Sequence, residues 1–216
     1  MRPMKKIDID TWYRKEHFEF YRTFNQPFFN VCATVDVTNT LNYCKENNLS
    51  FFLCSLFLLG YTANQIEAFR YRIKDDEIDI HEENEISCTV LNNDESFSFC
   101  EFGSCASFEV FYQQAEQKMA NIKQGFKSLK PSNQKENKIF CSVLPWLHFT
   151  SFSHAQKQQE LDSTPRIVMG KYKKYPHEIA LPVSVEVHHA LVDGLDVGRY
   201  FEKLQHNLTH FFSQKA

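Results

Sequence analysis

Near the end of the chain, residues 181–194 have the sequence Leu-Pro-Val-Ser-Val-Glu-Val-His-His-Ala-Leu-Val-Asp-Gly. Residues 181–187 alternate Leu and Val with Pro, Ser and Glu, which predicts a strand with one buried face. His189 has the same parity as the valines and lies at the carboxyl end of that strand, and Asp193 and Gly194 then open the last helix. The stretch therefore predicts an imidazole at the mouth of a packed interior, where neighbouring groups can set its tautomer and pKa.

Each residue of this stretch also has a simpler interpretation. Asp193 could serve only as a helix N-cap, and either histidine could be a hydrogen-bonded core residue. Two adjacent histidines followed by Asp-Gly at this spacing arise by chance in on the order of one in a thousand chains of ordinary composition. The combination is therefore specific, although its members are not.

The length and composition suit one soluble globular domain. The chain has 216 residues, of which 43% are hydrophobic and 24% are charged, so we expect a single domain over residues 1–216. Its 21 phenylalanines can fill a core or line an aromatic ligand pocket, and composition does not separate those uses. The formal net charge of -3 argues against a nucleic-acid partner.

Cysteine usage and hydropathy predict a cellular location. The 7 cysteines form no C-x-x-C pair, which predicts reduced, mostly buried thiols and no metal site. Residues 1–10 are charged and lack the apolar segment of a signal peptide. The longest apolar stretch, residues 51–63, is shorter than the about 20 residues that a membrane span needs. We therefore expect a cytoplasmic protein with no membrane partner.

Periodic apolar patterns alternate along the chain and predict five helices joined to several strands. The predicted helices cover residues 12–23, 38–47, 51–69, 107–126 and 195–212. The predicted strands cover residues 29–38, 88–91, 97–102, 140–144, 147–153, 166–172 and 179–188, and residues 127–138 are predicted to form a loop. Residues 5–10 are predicted to form a short strand and turn, and polar turn signals at residues 75–76 and 82–84 separate further short strands. Short connections between antiparallel strands predominate in this prediction. The predicted fold class is therefore α/β, a two-layer sandwich in which helices cover a mixed, largely antiparallel sheet.

The wider sequence resembles a known enzyme family. His188-His189-x-x-x-Asp193-Gly194 looks like the HHxxxDG signature of CoA-dependent acyltransferases, which include chloramphenicol acetyltransferases, the catalytic domain of dihydrolipoyl acyltransferases, and condensation domains. Residues 12–21, 142–146 and 182–189 resemble three segments of the chloramphenicol acetyltransferase family in particular. The resemblance covers essentially the whole chain.

This resemblance implies that an acyl group is transferred directly from acetyl-CoA to a hydroxyl of the acceptor. Acetyl-CoA is then a cosubstrate and is not permanently bound. The hydroxyl is a poor nucleophile at neutral pH, and by resemblance His189 is the general base that takes its proton. Ser142 corresponds to the serine that hydrogen-bonds the tetrahedral oxyanion. Asp193 is implied to be structural within the site and paired with Arg14, and His188 is left as scaffolding.

The resemblance also implies a homotrimer with active sites at subunit interfaces. Residues that match acceptor-pocket positions of the family are Phe20, Tyr21, Phe29, Thr89 and Phe97. Residues that match positions near the CoA channel are Trp146, Lys171 and Tyr172. Without the resemblance, each aromatic residue would more simply be assigned to the core.

Several positions depart from the family pattern. Val168 stands where a threonine is usual, Phe99 where a small residue is usual, and Ser50 where a lysine can approach CoA. Arg166 and His154 stand where aliphatic residues are usual. An arginine and a histidine on a formerly apolar wall would favour a more polar or anionic acceptor, unless they point away.

Three functions are therefore open from the sequence. The first is acetylation of a hydroxyl of chloramphenicol, and the second is acyl transfer to another small, more polar hydroxylated acceptor. The third is a non-catalytic trimeric binding protein on the same fold. The presence of His189, Asp193 and Ser142 together argues against the third.

Overall fold

The structure, a computed structural model, describes residues 5–125, 136–155 and 162–213. The helices in these ranges are α1 (Lys15–Tyr21), α2 (Thr38–Glu46), α3 (Phe51–Asn64), α4 (Phe108–Lys123) and α5 (Gly194–His210). The strands are β1 (Lys5–Lys6), β2 (Phe28–Asp36), β3 (Tyr71–Lys74), β4 (Glu77–Ile80), β5 (Glu85–Leu91), β6 (Phe97–Ser104), β7 (Lys138–Val143), β8 (Arg166–Met169), β9 (Lys173–Lys174) and β10 (Ile179–His188).

The strands of the described ranges form two sheets. The larger has seven strands, in the order β2-β10-β8-β7-β5-β6, with β9 beside β10. Its β7 pairs in parallel with both β5 and β8, and the remaining pairs are antiparallel. This confirms the predicted α/β class with a mixed, largely antiparallel sheet. The smaller sheet, in the order β1-β4-β3, was not predicted as a separate unit.

Strand β10 lies inside the larger sheet, between the edge strand β2 and β8, and its alternating sequence explains its position. Val183, Val185 and Val187 are fully buried in the main core, which also contains apolar residues of α3 and α5. The intervening residues of β10 point to the opposite face, because successive side chains of a strand alternate. One face of the sheet therefore carries the core, and the other carries polar groups such as Ser184 and Glu186.

Several predicted boundaries are wrong, and three of them have a local reason. Helix α1 begins at Lys15 rather than at residue 12, because Ile9–Thr11 already form a short 3₁₀ turn capped by the Asp8 side chain. Helix α3 ends at Asn64 rather than at residue 69, and a 3₁₀ turn, Glu67–Arg70, then leads into β3. Strand β8 ends at Met169, because the backbone N–H of Lys171 bonds to Leu147 O, outside the strand ladder.

The predicted strand at residues 147–153 is also wrong, because this segment has no strand structure. Both sides of the preceding strand, β7, are occupied by β5 and β8, so no free edge is available for another strand beside it. Most of the predicted loop at residues 127–138 lies outside the described residues, and its last residue, Lys138, begins β7. No helix in the described ranges is long and apolar enough to cross a bilayer.

Candidate active site

His189 lies directly after the last residue of β10 and is clamped between two aromatic rings. The Tyr21 ring stacks on the imidazole with centroids 3.9 Å apart and an angle of 9°. The Phe29 ring covers it at 4.5 Å, and the His189 backbone N–H donates to Pro27 O at 2.8 Å. Because aromatic rings flank the imidazole, a reacting molecule can meet it only at its edge.

The two ring nitrogens of His189 have different surroundings. Nδ1 is buried and has no hydrogen-bond partner within the described ranges, while the residue as a whole is half-buried. The nitrogen that can exchange a proton with an incoming group is therefore Nε2, on the opposite edge of the ring.

The preceding histidine, His188, has a different environment. It is buried against Phe28, and its Nδ1 accepts a hydrogen bond from the backbone N–H of Ala190 at 3.2 Å. Burial lowers the pKa of His188 to about 4, so its imidazole is neutral at pH 7. A neutral ring that accepts a backbone hydrogen bond supports the turn that carries His189.

Arg14 holds the loop between His189 and α5. Its guanidinium is buried, donates to Leu191 O at 2.6 Å and bonds to the carboxylates of both Asp193 and Asp196. Burial lowers the pKa of Arg14, but the two carboxylates outweigh burial and raise it above its ordinary value. The pairing of Arg14 with Asp193 that the resemblance implies is present, and a second acidic partner is added to it.

The same two aspartates begin α5. Asp193 is the N-cap and accepts from the backbone N–H groups of Leu195 at 2.8 Å and Asp196 at 3.1 Å, and Asp196 returns a bond to the Asp193 N–H. Burial raises the pKa of Asp193, but these backbone bonds and Arg14 lower it below its ordinary value. Asp196 was missed from the sequence, although its position three residues after an N-cap is a capping-box signal.

Ser142 lies on β7, away from His189. Its hydroxyl oxygen accepts a hydrogen bond from Thr89 Oγ1 at 3.3 Å, across the parallel pair of β5 and β7. Phe99 pairs with Thr89 in register on β6, and Phe97 is half exposed on the same face. With its oxygen engaged in this way, Ser142 has its own hydrogen free to donate.

The sheet register separates Ser142 from His189 within one chain. Ser142 pairs with Val168, and Val168 pairs with Ser184, so Ser142 is level with Ser184 across the sheet. His188, the last residue of β10, is four residues beyond Ser184, which corresponds to about 13 Å along the strand. The predicted pocket residues divide accordingly: Phe20, Tyr21 and Phe29 belong with His189, and Thr89 and Phe97 belong with Ser142.

The three residues predicted near CoA lie close together at the surface. Trp146 is 62% exposed, and the neighbouring Leu147 accepts the backbone N–H of Lys171 at 2.7 Å. Tyr172 is half-buried and meets the Phe51 ring edge-on at 5.6 Å. This segment therefore presents an exposed indole beside an exposed ammonium group.

The positions that depart from the family pattern are also located. Val168 is fully buried, Phe99 is half-buried, and Ser50 caps α3 by accepting from the Leu53 N–H at 3.4 Å. Arg166 and His154 both contact the buried carboxylate of Glu186. In the part of the chain that the structure describes, no three metal-ligating side chains gather.

The chain is similar to known proteins over most of its length. The family model for chloramphenicol acetyltransferase matches residues 3–205. Chloramphenicol acetyltransferase 3 of Escherichia coli is 30% identical over 201 residues, covering 93% of this chain and 94% of its own. The chloramphenicol acetyltransferase of Bacillus pumilus is 30% identical over 207 residues, covering 95% and 94%.

Solved structures agree with these sequence relatives. A chloramphenicol acetyltransferase superposes with a TM-score of 0.88 at 26% identity, over 95% of this chain and 100% of its own. The dihydrolipoamide acetyltransferase of Azotobacter vinelandii shares the fold alone, with a TM-score of 0.69 at 12% identity, over 93% and 88%. The chain is thus an acyltransferase. It belongs to the chloramphenicol acetyltransferase family.

Proposed function

We propose that this protein transfers the acetyl group of acetyl-CoA to a hydroxyl group of chloramphenicol. The observation that carries the proposal is the setting of His189, a half-buried imidazole that lies between two aromatic rings at the end of β10 with one ring edge accessible. Its relatives are named for the same reaction.

The proposed step needs a base and an oxyanion donor. His189 Nε2 takes the proton of the acceptor hydroxyl while the hydroxyl oxygen bonds to the thioester carbonyl carbon, and the carbonyl oxygen becomes the oxyanion. Collapse of this intermediate re-forms the C=O bond and breaks the C–S bond. The imidazolium returns the proton to the CoA sulfur, and no acyl-enzyme forms.

Ser142 is proposed to donate its hydroxyl hydrogen to the oxyanion. The hydrogen bond from Thr89 orients the Ser142 oxygen before the substrate arrives, so little rearrangement is needed when the negative charge develops. Arg14 and Asp193 act indirectly in this proposal, because they hold the loop that follows His189.

The separation of Ser142 and His189 supports a site built from two copies of the chain. One chain provides His189 with Tyr21 and Phe29, and the next provides Ser142 with Thr89. Each chain has both halves, so head-to-tail contacts of this kind can repeat around a closed ring. We propose that they form the homotrimer that the family resemblance implies.

We further propose that acetyl-CoA binds along the segment with Trp146, Lys171 and Tyr172. An exposed indole offers a flat apolar surface for the adenine ring, and the Lys171 ammonium is complementary in charge to the CoA phosphates. Acetyl-CoA is a substrate in this scheme and leaves as free CoA.

Release of free CoA, followed with a thiol reagent, tests the proposed function. Chloramphenicol should trigger release by the wild-type protein, and His189→Ala should lower kcat at least about 10²-fold, the scale for removing a general base. His206→Ala, an exposed histidine on α5, is the matched control and should keep wild-type activity. Absence of release at millimolar chloramphenicol, or full activity of His189→Ala, would contradict the proposal.

A further inference from the structure

Two exposed histidines lie one helical turn apart near the carboxyl end of α5. His206 and His210 are four residues apart, and side chains at this spacing lie on one face of an α-helix, one above the other. Their ring centroids are 4.7 Å apart, and the rings are inclined at 48°. The two imidazoles are therefore neighbours, and both are open to solvent.

The helix that carries this pair is bonded firmly to the rest of the fold. The Gln205 side chain accepts from the Asp36 backbone N–H at 2.8 Å and donates to the Asp36 backbone oxygen at 3.1 Å. The Asn207 amide donates to Thr62 Oγ1 at 2.9 Å, and Leu208 is buried in the core. The backbone that carries both imidazoles is therefore held in place before any ligand binds.

Two imidazoles at this spacing have the chemistry of a metal chelate. Histidines four residues apart on one helix face can both supply a nitrogen to the same ion. Imidazole nitrogen suits Zn²⁺, Ni²⁺ and Cu²⁺, whereas Mg²⁺ and Ca²⁺ prefer oxygen ligands. Within the described ranges no third metal-ligating side chain joins the pair, so water would complete the coordination.

We propose that His206 and His210 form a two-histidine binding site for a divalent transition-metal ion such as Ni²⁺ or Zn²⁺. This site is separate from acyl transfer and does not depend on it. The ion takes one nitrogen from each ring, and the second bond forms readily because the second ring is already close when the first is bound. Since the pair exists only while this part of α5 is helical, the ion also stabilises the folded protein.

Calorimetric titration with Ni²⁺ tests the site, with protein prepared without a histidine tag and at about pH 8, where free imidazole is neutral. The wild-type protein should bind one Ni²⁺ per chain, and Mg²⁺ should not bind. His206→Ala and His210→Ala should each weaken Ni²⁺ binding at least about tenfold, because one imidazole cannot chelate. His17→Ala, at an exposed histidine of α1, is the matched control and should bind as wild type does.

A change of spacing separates chelation from the mere presence of two histidines. Glu202 is exposed and lies one turn before His206 on the same helix face. The double variant Glu202→His/His210→Ala keeps two histidines four residues apart and should bind Ni²⁺ about as tightly as wild type. The double variant Glu202→His/His206→Ala has the same composition but places its histidines about 12 Å apart along the helix, and it should bind at least about tenfold more weakly.

Thermal unfolding provides a second readout. Without metal, all variants should unfold near the wild-type midpoint, because the substituted side chains are exposed. Saturating Ni²⁺ should raise the wild-type midpoint by about 3–8 °C and should raise those of His206→Ala and His210→Ala clearly less. Equal Ni²⁺ affinity of wild type and either single variant would overturn the site, and so would equal affinity of the two double variants. These results do not depend on whether the protein transfers acyl groups.

Discussion

At the scale of single residues, the least expected feature is that one buried arginine serves two aspartates. Arg14 bonds to Asp193, which is 40% exposed, and to Asp196, which is 9% exposed. Asp196 also completes the capping box of α5. The Asp196 carboxylate compensates the buried positive charge of Arg14 from inside the protein. The Asp193 carboxylate does so from the edge of the site.

We expect the two aspartates to substitute partly for each other. Asp193→Asn and Asp196→Asn should each lower the free energy of unfolding by about 1–3 kcal/mol, because Arg14 keeps one carboxylate. The double variant should lose at least about 1 kcal/mol more than the sum, because the buried guanidinium is then uncompensated. Urea unfolding of all four proteins measures this, with the exposed Asp10→Asn as control. Additive losses would show that Asp196 acts only as a cap.

The sequence motif located the residues of this loop but not all of their partners. His189, Asp193 and Arg14 were identified from the HHxxxDG stretch and the resemblance of residues 12–21. Asp196 was missed because an acidic residue in the first turn of a helix ordinarily faces solvent. Its contact with Arg14 joins residues 182 positions apart, which no local pattern reports.

At the scale of elements, the end of β8 positions the segment proposed to bind CoA. A Cβ atom on Gly170 would lie 2.6 Å from the backbone oxygen of Leu147 and 2.8 Å from Pro182 Cγ. That closeness lets the chain leave the sheet and form the bond between Lys171 N–H and Leu147 O. Alternation alone predicted a strand through residue 172, because it does not report the approach of another backbone.

Gly170→Ala should therefore disturb both stability and acetyl-CoA binding. The clash is with backbone, which cannot rotate away, so we expect a loss of about 1–3 kcal/mol in the free energy of unfolding and a higher KM for acetyl-CoA. Gly198→Ala is the matched control, because a Cβ there meets nothing within 4 Å and the residue lies inside α5. That control should be neutral or gain up to about 1 kcal/mol. Unchanged KM and stability in Gly170→Ala would refute this account.

At the scale of the whole molecule, the two halves of the proposed chemistry lie in different places. The base is at the end of β10, and the oxyanion donor is level with Ser184, four residues earlier on that strand. A rigid sheet cannot bring them together, because moving either residue would break the strand register. Assembly of several chains is the arrangement that can unite them.

Mixed assemblies of two inactive variants give a direct test of this arrangement. His189→Ala and Ser142→Ala, co-expressed with different tags and purified as mixed assemblies, should recover roughly a third of wild-type activity, because each mixed trimer has one site out of three with both an intact His189 and an intact Ser142. Each variant alone should stay far below that value. If the mixture is no more active than the separate variants, the site is contained within one chain.

The sequence by itself determined the fold class and the position of His189, the proposed base. Alternating valines identify β10, and a rare grouping of two histidines, an aspartate and a glycine marks its end. Both signals are local, so they can be recognised without the fold. Only the tertiary structure decided three other features. These are the ion pair of Asp196 with Arg14, the contacts of Arg166 and His154 with Glu186, and the distance between Ser142 and His189. Those features depend on strand order and register, because the fold determines which oppositely charged group lies close enough to pair with a buried charge.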